Sequence, residues 1–337
     1  MTKVKAWAAL GSKQKLEPYS YELSVLQPDE VEIKVEYCGL CHSDLSMINN
    51  DWGLSQYPII PGHEAVGRIV AKGEQVKGLE IGQMVGVGWN AGSCMHCYEC
   101  MSGEHNLCGS IQPTIVGHHG GFAERIRSHW AWAVPLPENM DVASAGPLLC
   151  AGATVFTPLL TFGVKPTDHV GIVGIGGLGH LGLKFAHAWG CEVTAFTSTL
   201  AKADEAKKLG AHHVVASRDS NEILKAVNTL DFLLITVNTP LDWSALVKTL
   251  KPNGRMAIVG AILEPMEISA IDLIFGQKRV AGSLNGGPAA TRAMLEFAAR
   301  HNIQPQVEHF PMSKVNDAIE HLSSGKARYR VVLDLNF

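Results

Sequence analysis

Residues 170 to 196 carry three signals in one short stretch. Val170 to Val173 is an apolar run, and Gly174-Ile175-Gly176-Gly177-Leu178-Gly179 follows it directly. Leu178, Leu181, Phe185 and Trp189 then recur at spacings of three and four, which predicts a helix with one apolar face. Gly190 is placed to end that helix, and Cys191 to Phe196 reads as the next strand. A Gly-x-Gly-x-x-Gly alone is weak. Set between a strand and a helix of this length, it points to a turn whose backbone approaches a pyrophosphate at the helix N-terminus.

The alternation continues downstream. Lys202 to Leu209, Ser220 to Val227 and Trp243 to Leu250 read as helices. Val214 to Ala216, Phe232 to Thr236, Met256 to Val259 and Val280 to Ser283 read as strands. Six strands with intervening helices predict an α/β domain built on a doubly wound parallel sheet. The end of the second strand selects the nucleotide. NAD-binding sheets place an acidic residue there, against the ribose hydroxyls. Here Thr197 holds that place, 23 residues beyond Gly174, with Ser198, Thr199 and, further on, Lys202. No carboxylate repels a 2′-phosphate, so NADP(H) is the expected cofactor.

The N-terminal half is written differently. Val31 to Glu36 alternates apolar and charged residues, as a half-buried strand does. Val66 to Val70 and Met84 to Val87 continue in the same style, with Gly73, Gly78 and Gly82 at turns. Cysteines punctuate this β-rich region. Cys41, His63 and Cys150 offer two thiolates and an imidazole, three zinc ligands that leave one position open. Cys94, Cys97, Cys100 and Cys108 stand with two, two and seven residues between them, a set that closes a tetrahedral shell. Disulfide pairing and an iron–sulfur cluster are the alternatives for these four. His96 lies within the lobe but reads as a surface residue, as do His118, His119, His212 and His213; Cys38 and Cys191 read as core thiols. A helix from about 290 to 300 and a strand from Tyr329 to Leu335 close the chain.

Composition narrows the classes. The 337 residues suffice for two domains, and 28 basic against 32 acidic residues give a formal charge of −4, which offers nucleic acid or anionic membrane no footprint. The N-terminal apolar run is too short for a secretory signal, and no stretch approaches the ~20 apolar residues of a membrane helix. A reducing cytoplasmic setting is therefore expected, where spaced cysteines read as metal ligands.

With these residues in view, the chain resembles the zinc-dependent medium-chain alcohol dehydrogenases, within them the cinnamyl alcohol dehydrogenase group and its bacterial broad-range aldehyde reductase relatives. The marks are Gly39-Leu40-Cys41-His42-Ser43-Asp44, Pro61-Gly62-His63-Glu64, the four-cysteine lobe, Pro147 to Gly152, Gly174 to His180, and Tyr329-Arg330. The resemblance implies a GroES-like β-rich catalytic domain from residues 1–150 and 286–337, with the structural zinc lobe at about 94–108. A Rossmann NADP-binding domain, 151–285, is inserted in it, and the active site is expected in the cleft. It implies two zinc ions per chain, Cys41, His63 and Cys150 holding the catalytic one with Glu64 behind. Asp44 is expected to orient His63 and Ser43 to take the substrate proton. His42, Thr154, Val259, Ser283 and Arg330 are expected to join Gly174, Ile175, Gly176, Gly177, Leu178 and Gly179 in contacting the cofactor. A homodimer is expected on the same ground.

One departure stands out: Ser46 occupies a place where many relatives carry the histidine that ends a proton relay. Trp52 and Trp89 come from segments that line the substrate pocket in such enzymes. The expected activity is hydride transfer between NADP(H) and a primary alcohol or aldehyde, aromatic or broad-range. An NAD-dependent polyol dehydrogenase is the rival within the superfamily; Thr197 argues against it. A catalytically idle cofactor-binding protein is the rival from another class, and it would tolerate a missing zinc ligand, whereas Cys41, His63 and Cys150 are all present.

Overall fold

The computed structural model describes residues 3–337, and the chain divides into two compact units. One takes the residues up to Cys150 together with Gly286–Phe337; the other is Ala151–Asn285.

The first unit is built around the strand Glu30–Leu40, eleven residues long. Its C-terminal half pairs antiparallel with Arg330–Asp334, with Val331 opposite Leu40 and Asp334 opposite Tyr37. Its N-terminal half pairs on the same edge with Arg125–His129. Ala65–Lys72 lies along the other edge, Cys38 opposite Ala65. Met84–Val87, Val134–Pro135 and Val307–Pro311 complete a seven-stranded sheet. The alternation Val31, Ile33, Val35 points inward as its period predicts. Glu32, on the charged face, is also buried, because Arg125 and Arg127 both pair with its carboxylate. That inward face joins Leu40, Ile69, Val85, Phe122 and Ile126 in one core.

Two elements of the C-terminal return carry weak sequence signals. Val307–Pro311 ends in a proline and lies at the sheet edge, where a missing N–H is tolerated. The helix Val315–Ser323 follows it and buries Val315, Ala318 and Leu322 on one stripe.

The second unit holds six parallel strands: β1 (His169–Val173), β2 (Glu192–Thr197), β3 (His213–Ala216), β4 (Leu230–Ile235), β5 (Leu250–Ile258) and β6 (Arg279–Gly282). Their order is β3-β2-β1-β4-β5-β6. The chain leaves β1 toward β2 and later returns to its other side with β4, so the crevice at the C-terminal end of β1 is a switch point. The helix Gly179–Trp189 connects β1 to β2, buries Leu181 and Phe185, and ends at Gly190 in the left-handed conformation, φ 101°. Phe185, Phe196 and Phe232 are fully buried, each contributing about 1.5–3 kcal/mol of apolar burial.

Boundaries differ from expectation where turn chemistry interferes. β5 begins at Leu250 rather than Met256, since Pro252-Asn253-Gly254 reads as a turn but lies within the strand. The helix from Ser220 stops at Leu224. The segment from Lys202 opens as a 3-10 turn, Leu200–Lys202, before the helix Ala203–Lys208.

Candidate active site

Cys41 sits where the strand Glu30–Leu40 gives way to the helix His42–Asn49. Asp44, on the first turn of that helix, reaches back so that its Oδ2 accepts from the Cys41 N–H at 2.9 Å. Its Oδ1 accepts from the Gly62 N–H at 2.8 Å and lies 2.9 Å from His63 Nδ1. One buried carboxylate thus ties the loop carrying Cys41 to the loop carrying His63. The Nδ1 contact leaves Nε2 of the imidazole facing the thiols, 3.3 Å from Cys150 Sγ. Gly39 is required by this closeness: a Cβ there would overlap Glu64 Oε2, and the Gly39 N–H donates to Glu64 O at 3.0 Å.

The donor atoms of Cys41, His63, Glu64 and Cys150 all lie within 4.8 Å of one another. Cys41, His63 and Glu64 are buried; Cys150 is only half-buried, so the cluster opens on its side. Ser43 Oγ lies 3.8 Å from Cys41 Sγ on the first turn of the same helix. Trp89 stands edge-on to the His63 ring, centroids 5.0 Å apart, and Trp52 packs on Trp89 at 5.8 Å.

The electrostatics favour a cation. Sharing with the Cys150 thiol, helped by the Arg330 and His63 charges, holds the Cys41 thiol well below its usual range despite burial. Cys150 is pushed up as the other member of that pair, by Cys41 first and burial second. Burial pulls the His63 imidazole down, yet Asp44 outweighs it by charge and hydrogen bond and raises it. Burial raises Glu64, with the Arg330 charge opposing. The Arg330 guanidinium is buried, pairs through Nη2 with Glu64 Oε1 and lies 3.7 Å from Cys41 Sγ through Nη1. Glu64 Oε2 is buried with no hydrogen-bond partner. An orphan carboxylate oxygen beside two thiols and an imidazole is the donor set a zinc ion satisfies. The Arg330–Glu64 pair was not legible beforehand; a glutamate in an apolar context is the only hint that a cation must meet it.

Cys94, Cys97, Cys100 and Cys108 converge in the same unit, and all eight cysteines are free thiols. Cys94 Sγ and Cys100 Sγ are 4.0 Å apart. That is no disulfide distance, and it is near the roughly 3.8 Å edge of a tetrahedron with 2.3 Å zinc–sulfur bonds. Backbone N–H groups point at the sulfurs: Cys97 to Cys94 at 3.3 Å, Cys100 to Cys97 at 3.5 Å, Ser110 to Cys108 at 3.3 Å. Donors from His96 and Cys97 bring Cys94 down to about 6. Such a nest suits thiolates bound to metal. His96 is exposed, its Nδ1 turned 2.6 Å from Cys94 O rather than to the cluster. His119, His212 and His213 are exposed as expected, while His118 is half-buried with its Nδ1 3.3 Å from Thr114 O.

In the second unit, the turn Gly174 to Gly179 follows β1. A Cβ at Gly179 would overlap Gly174 O, so the helix start requires glycine to approach the strand. Gly176 is exposed, and a Cβ there would meet nothing, which leaves open the side where a pyrophosphate approaches. Thr197, at the end of β2, is buried; its hydroxyl donates to Thr199 O at 3.2 Å and accepts from the Thr199 N–H at 3.3 Å. Ser198 and Thr199 are exposed. Lys202 Nζ reaches back over the glycine turn to Ile175 O, 3.4 Å away. Hydroxyls and a lysine thus border the turn. His42 is exposed; Thr154, Val259 and Ser283 are half-buried.

The chain matches two families of known proteins. Residues 27–138 match the alcohol dehydrogenase GroES-like domain, and residues 177–300 match the zinc-binding dehydrogenase family. Aldehyde reductase AdhA from Synechocystis is 51% identical over 330 residues, covering 98% of both chains. The cinnamyl alcohol dehydrogenase SbCAD4 from Sorghum bicolor superposes with a TM-score of 0.94 at 38% identity, covering 99% of this chain and 98% of that one. A cinnamyl alcohol dehydrogenase from Helicobacter pylori, solved with NADP(H), gives 0.90 at 32% identity, with 99% and 98% covered. On these matches, this chain is a member of the zinc-binding alcohol dehydrogenase family.

Proposed function

We propose that the protein is an NADPH-dependent aldehyde reductase of broad or aromatic range, carrying two zinc ions per chain. The observation that carries this is the donor set of Cys41, His63 and Cys150, buried on one side and open at Cys150, with the Ser43 hydroxyl beside it. Zinc held there supplies Lewis acidity toward a carbonyl oxygen. The aldehyde reductase and cinnamyl alcohol dehydrogenase relatives support the substrate class.

The chain's own residues do the rest. Asp44 fixes the His63 ring. Ser43 would give a proton to the carbonyl oxygen; NADPH, when bound, would supply the hydride, so that aldehyde, NADPH and one proton would balance against alcohol and NADP⁺. With Ser46 in place of a histidine, reprotonation of Ser43 would need a route to solvent other than residue 46. Trp89 and Trp52 offer an aromatic wall beside His63 for a flat substrate. Glu64 stands as the fourth donor of the cluster, and Arg330 balances its charge.

Preference for NADPH is supported by Thr197, the exposed Ser198 and Thr199, and Lys202 over the glycine turn. It is supported also by the NADP(H) named for the Helicobacter enzyme. A homodimer is proposed from the edge strand β6 and the exposed Leu263, Ile271, Ile274, Phe275 and Leu284 near it in sequence; sedimentation at micromolar concentration tests it. No described helix is long and apolar enough to cross a membrane, and eight free thiols support a cytoplasmic setting.

The experiment is a turnover screen of aromatic and aliphatic aldehydes with NADPH and NADH, on wild type and Thr197→Asp. Wild type is expected to prefer NADPH. The variant is expected to lose about 1–3 kcal/mol of that preference, the scale of a charged group left without its partner. Equal use of NADH by wild type overturns the cofactor assignment; no aldehyde turnover overturns the activity.

A further inference from the structure

Among the described residues, one more group of metal-ligating side chains converges outside the two cysteine clusters, in the second unit and independent of the proposed activity. His169 opens β1, Glu192 opens β2 and His213 opens β3. The parallel register sets His169 opposite Glu192, and Thr194 opposite His213. Residues two apart on a strand share a face, so these side chains crowd one face at one corner of the sheet. Their donor atoms lie within 4.8 Å of one another.

The two carboxylate oxygens of Glu192 divide between the rings. Oε1 lies 2.7 Å from His213 Nε2, and Oε2 lies 3.9 Å from His169 Nδ1. A divalent ion with ligand bonds of about 2.1 Å holds neighbouring donors roughly 3.0–3.4 Å apart, between those two distances. A small rotation of the exposed Glu192 side chain evens them. The His169 ring is also pre-set: its Nε2 lies 2.7 Å from Thr194 Oγ1, and Thr194 is buried. With Nε2–H donated to that hydroxyl, Nδ1 keeps its lone pair toward Glu192, the outer support that metal-bound histidines usually have. The nearby Lys251 ammonium is paired with Asp231 at 2.7 Å, and Asp231 also accepts from the His169 N–H at 2.8 Å, so that cation is neutralised locally. His169 is 16% exposed and Glu192 and His213 over half, so an ion has access.

We propose that His169, Glu192 and His213 form a third metal site, for a first-row divalent transition ion that pins the starts of β1, β2 and β3. Two imidazoles and one carboxylate suit zinc, nickel or copper(II) rather than magnesium or calcium. Three protein donors leave the remaining positions to water. An ordinary histidine–glutamate ion pair is the competing account, and it needs no metal.

The test uses the holoprotein with both cysteine sites already filled. Zinc is added and binding followed by calorimetry, with metal content measured after equilibrium dialysis, on wild type, Glu192→Gln, His213→Ala and His212→Ala. His212 is the control: it is exposed next to His213, but its Nδ1 accepts from the Val193 N–H at 2.9 Å. Melting curves without added zinc check that each variant is folded. Wild type and His212→Ala are expected to take up a third equivalent and to melt higher with it. Glu192→Gln and His213→Ala are expected to bind it at least about ten-fold more weakly and to lose the melting shift. Copper(II) bound to wild type is expected to give an electron paramagnetic resonance spectrum with two coupled nitrogens. No third equivalent in wild type, or binding that survives in His213→Ala and fails in His212→Ala, overturns the proposal.

Discussion

Replacing Asp44 by asparagine tests how the site is held. The carboxylate is fully buried and receives three contacts: the Cys41 N–H on Oδ2, and the Gly62 N–H and His63 Nδ1 on Oδ1. Asparagine keeps the two on Oδ1 if its carbonyl sits there. Its amide then faces the Cys41 N–H, donor against donor. That buried mismatch costs about 1–3 kcal/mol of folding stability. Separately, His63 loses an anionic partner. Loss of an outer partner typically lowers metal affinity 10–100-fold, about 1.4–2.7 kcal/mol. The first effect is read by melting the metal-free protein, the second by competing a chelator for the zinc at Cys41, His63 and Cys150. The four-cysteine lobe serves as internal control and is expected not to change. The pH dependence has a definite sign. Asp44 raises the His63 pKa in the metal-free state, so a proton competes with zinc up to higher pH in wild type than in the variant. The affinity gap therefore narrows as pH falls. Wild-type affinity in Asp44→Asn at alkaline pH refutes the role given to Asp44.

Two further outcomes follow from the same geometry. Ser43→Ala removes the hydroxyl beside Cys41 and is expected to lower turnover by about 10²–10⁴-fold while zinc content is unchanged, as steady-state rates and metal analysis will read. Cys100→Ser is expected to lower the melting temperature, because a structural zinc contributes to folding; Cys150→Ser is expected to abolish turnover with a smaller melting shift. Reversal of that pattern exchanges the roles of the two cysteine clusters.

The strand–glycine–helix unit and the alternation after it were legible because their periods are local: Leu181 and Phe185 are buried by helical spacing alone. The metal donors were legible as residue types at motif spacing, and the fold brings Cys41, His63, Glu64 and Cys150 together across more than a hundred residues of sequence. What was hidden depends on contacts far apart in the chain. Arg330 meets Glu64 only because the last strand pairs with Glu30–Leu40. Gly39 is needed for the space filled by Oε2 of Glu64, a residue 25 positions further along the chain. His213 read as a surface residue and is exposed, but the register of β1, β2 and β3 sets it beside Glu192 and His169. β5 starts six residues before Met256, through Pro252, Asn253 and Gly254, residue types that favour turns and that the sheet overrides here.

The central claim is that Cys41, His63 and Cys150 hold a zinc ion on which NADPH-dependent aldehyde reduction depends. The most direct measurement is NADPH oxidation with an aromatic aldehyde such as cinnamaldehyde, before chelation, after it, and after zinc is restored. Turnover is expected to disappear as zinc leaves this cluster and to return with one equivalent, in wild type but not in Cys150→Ser. Undiminished turnover by protein stripped of zinc would contradict the account.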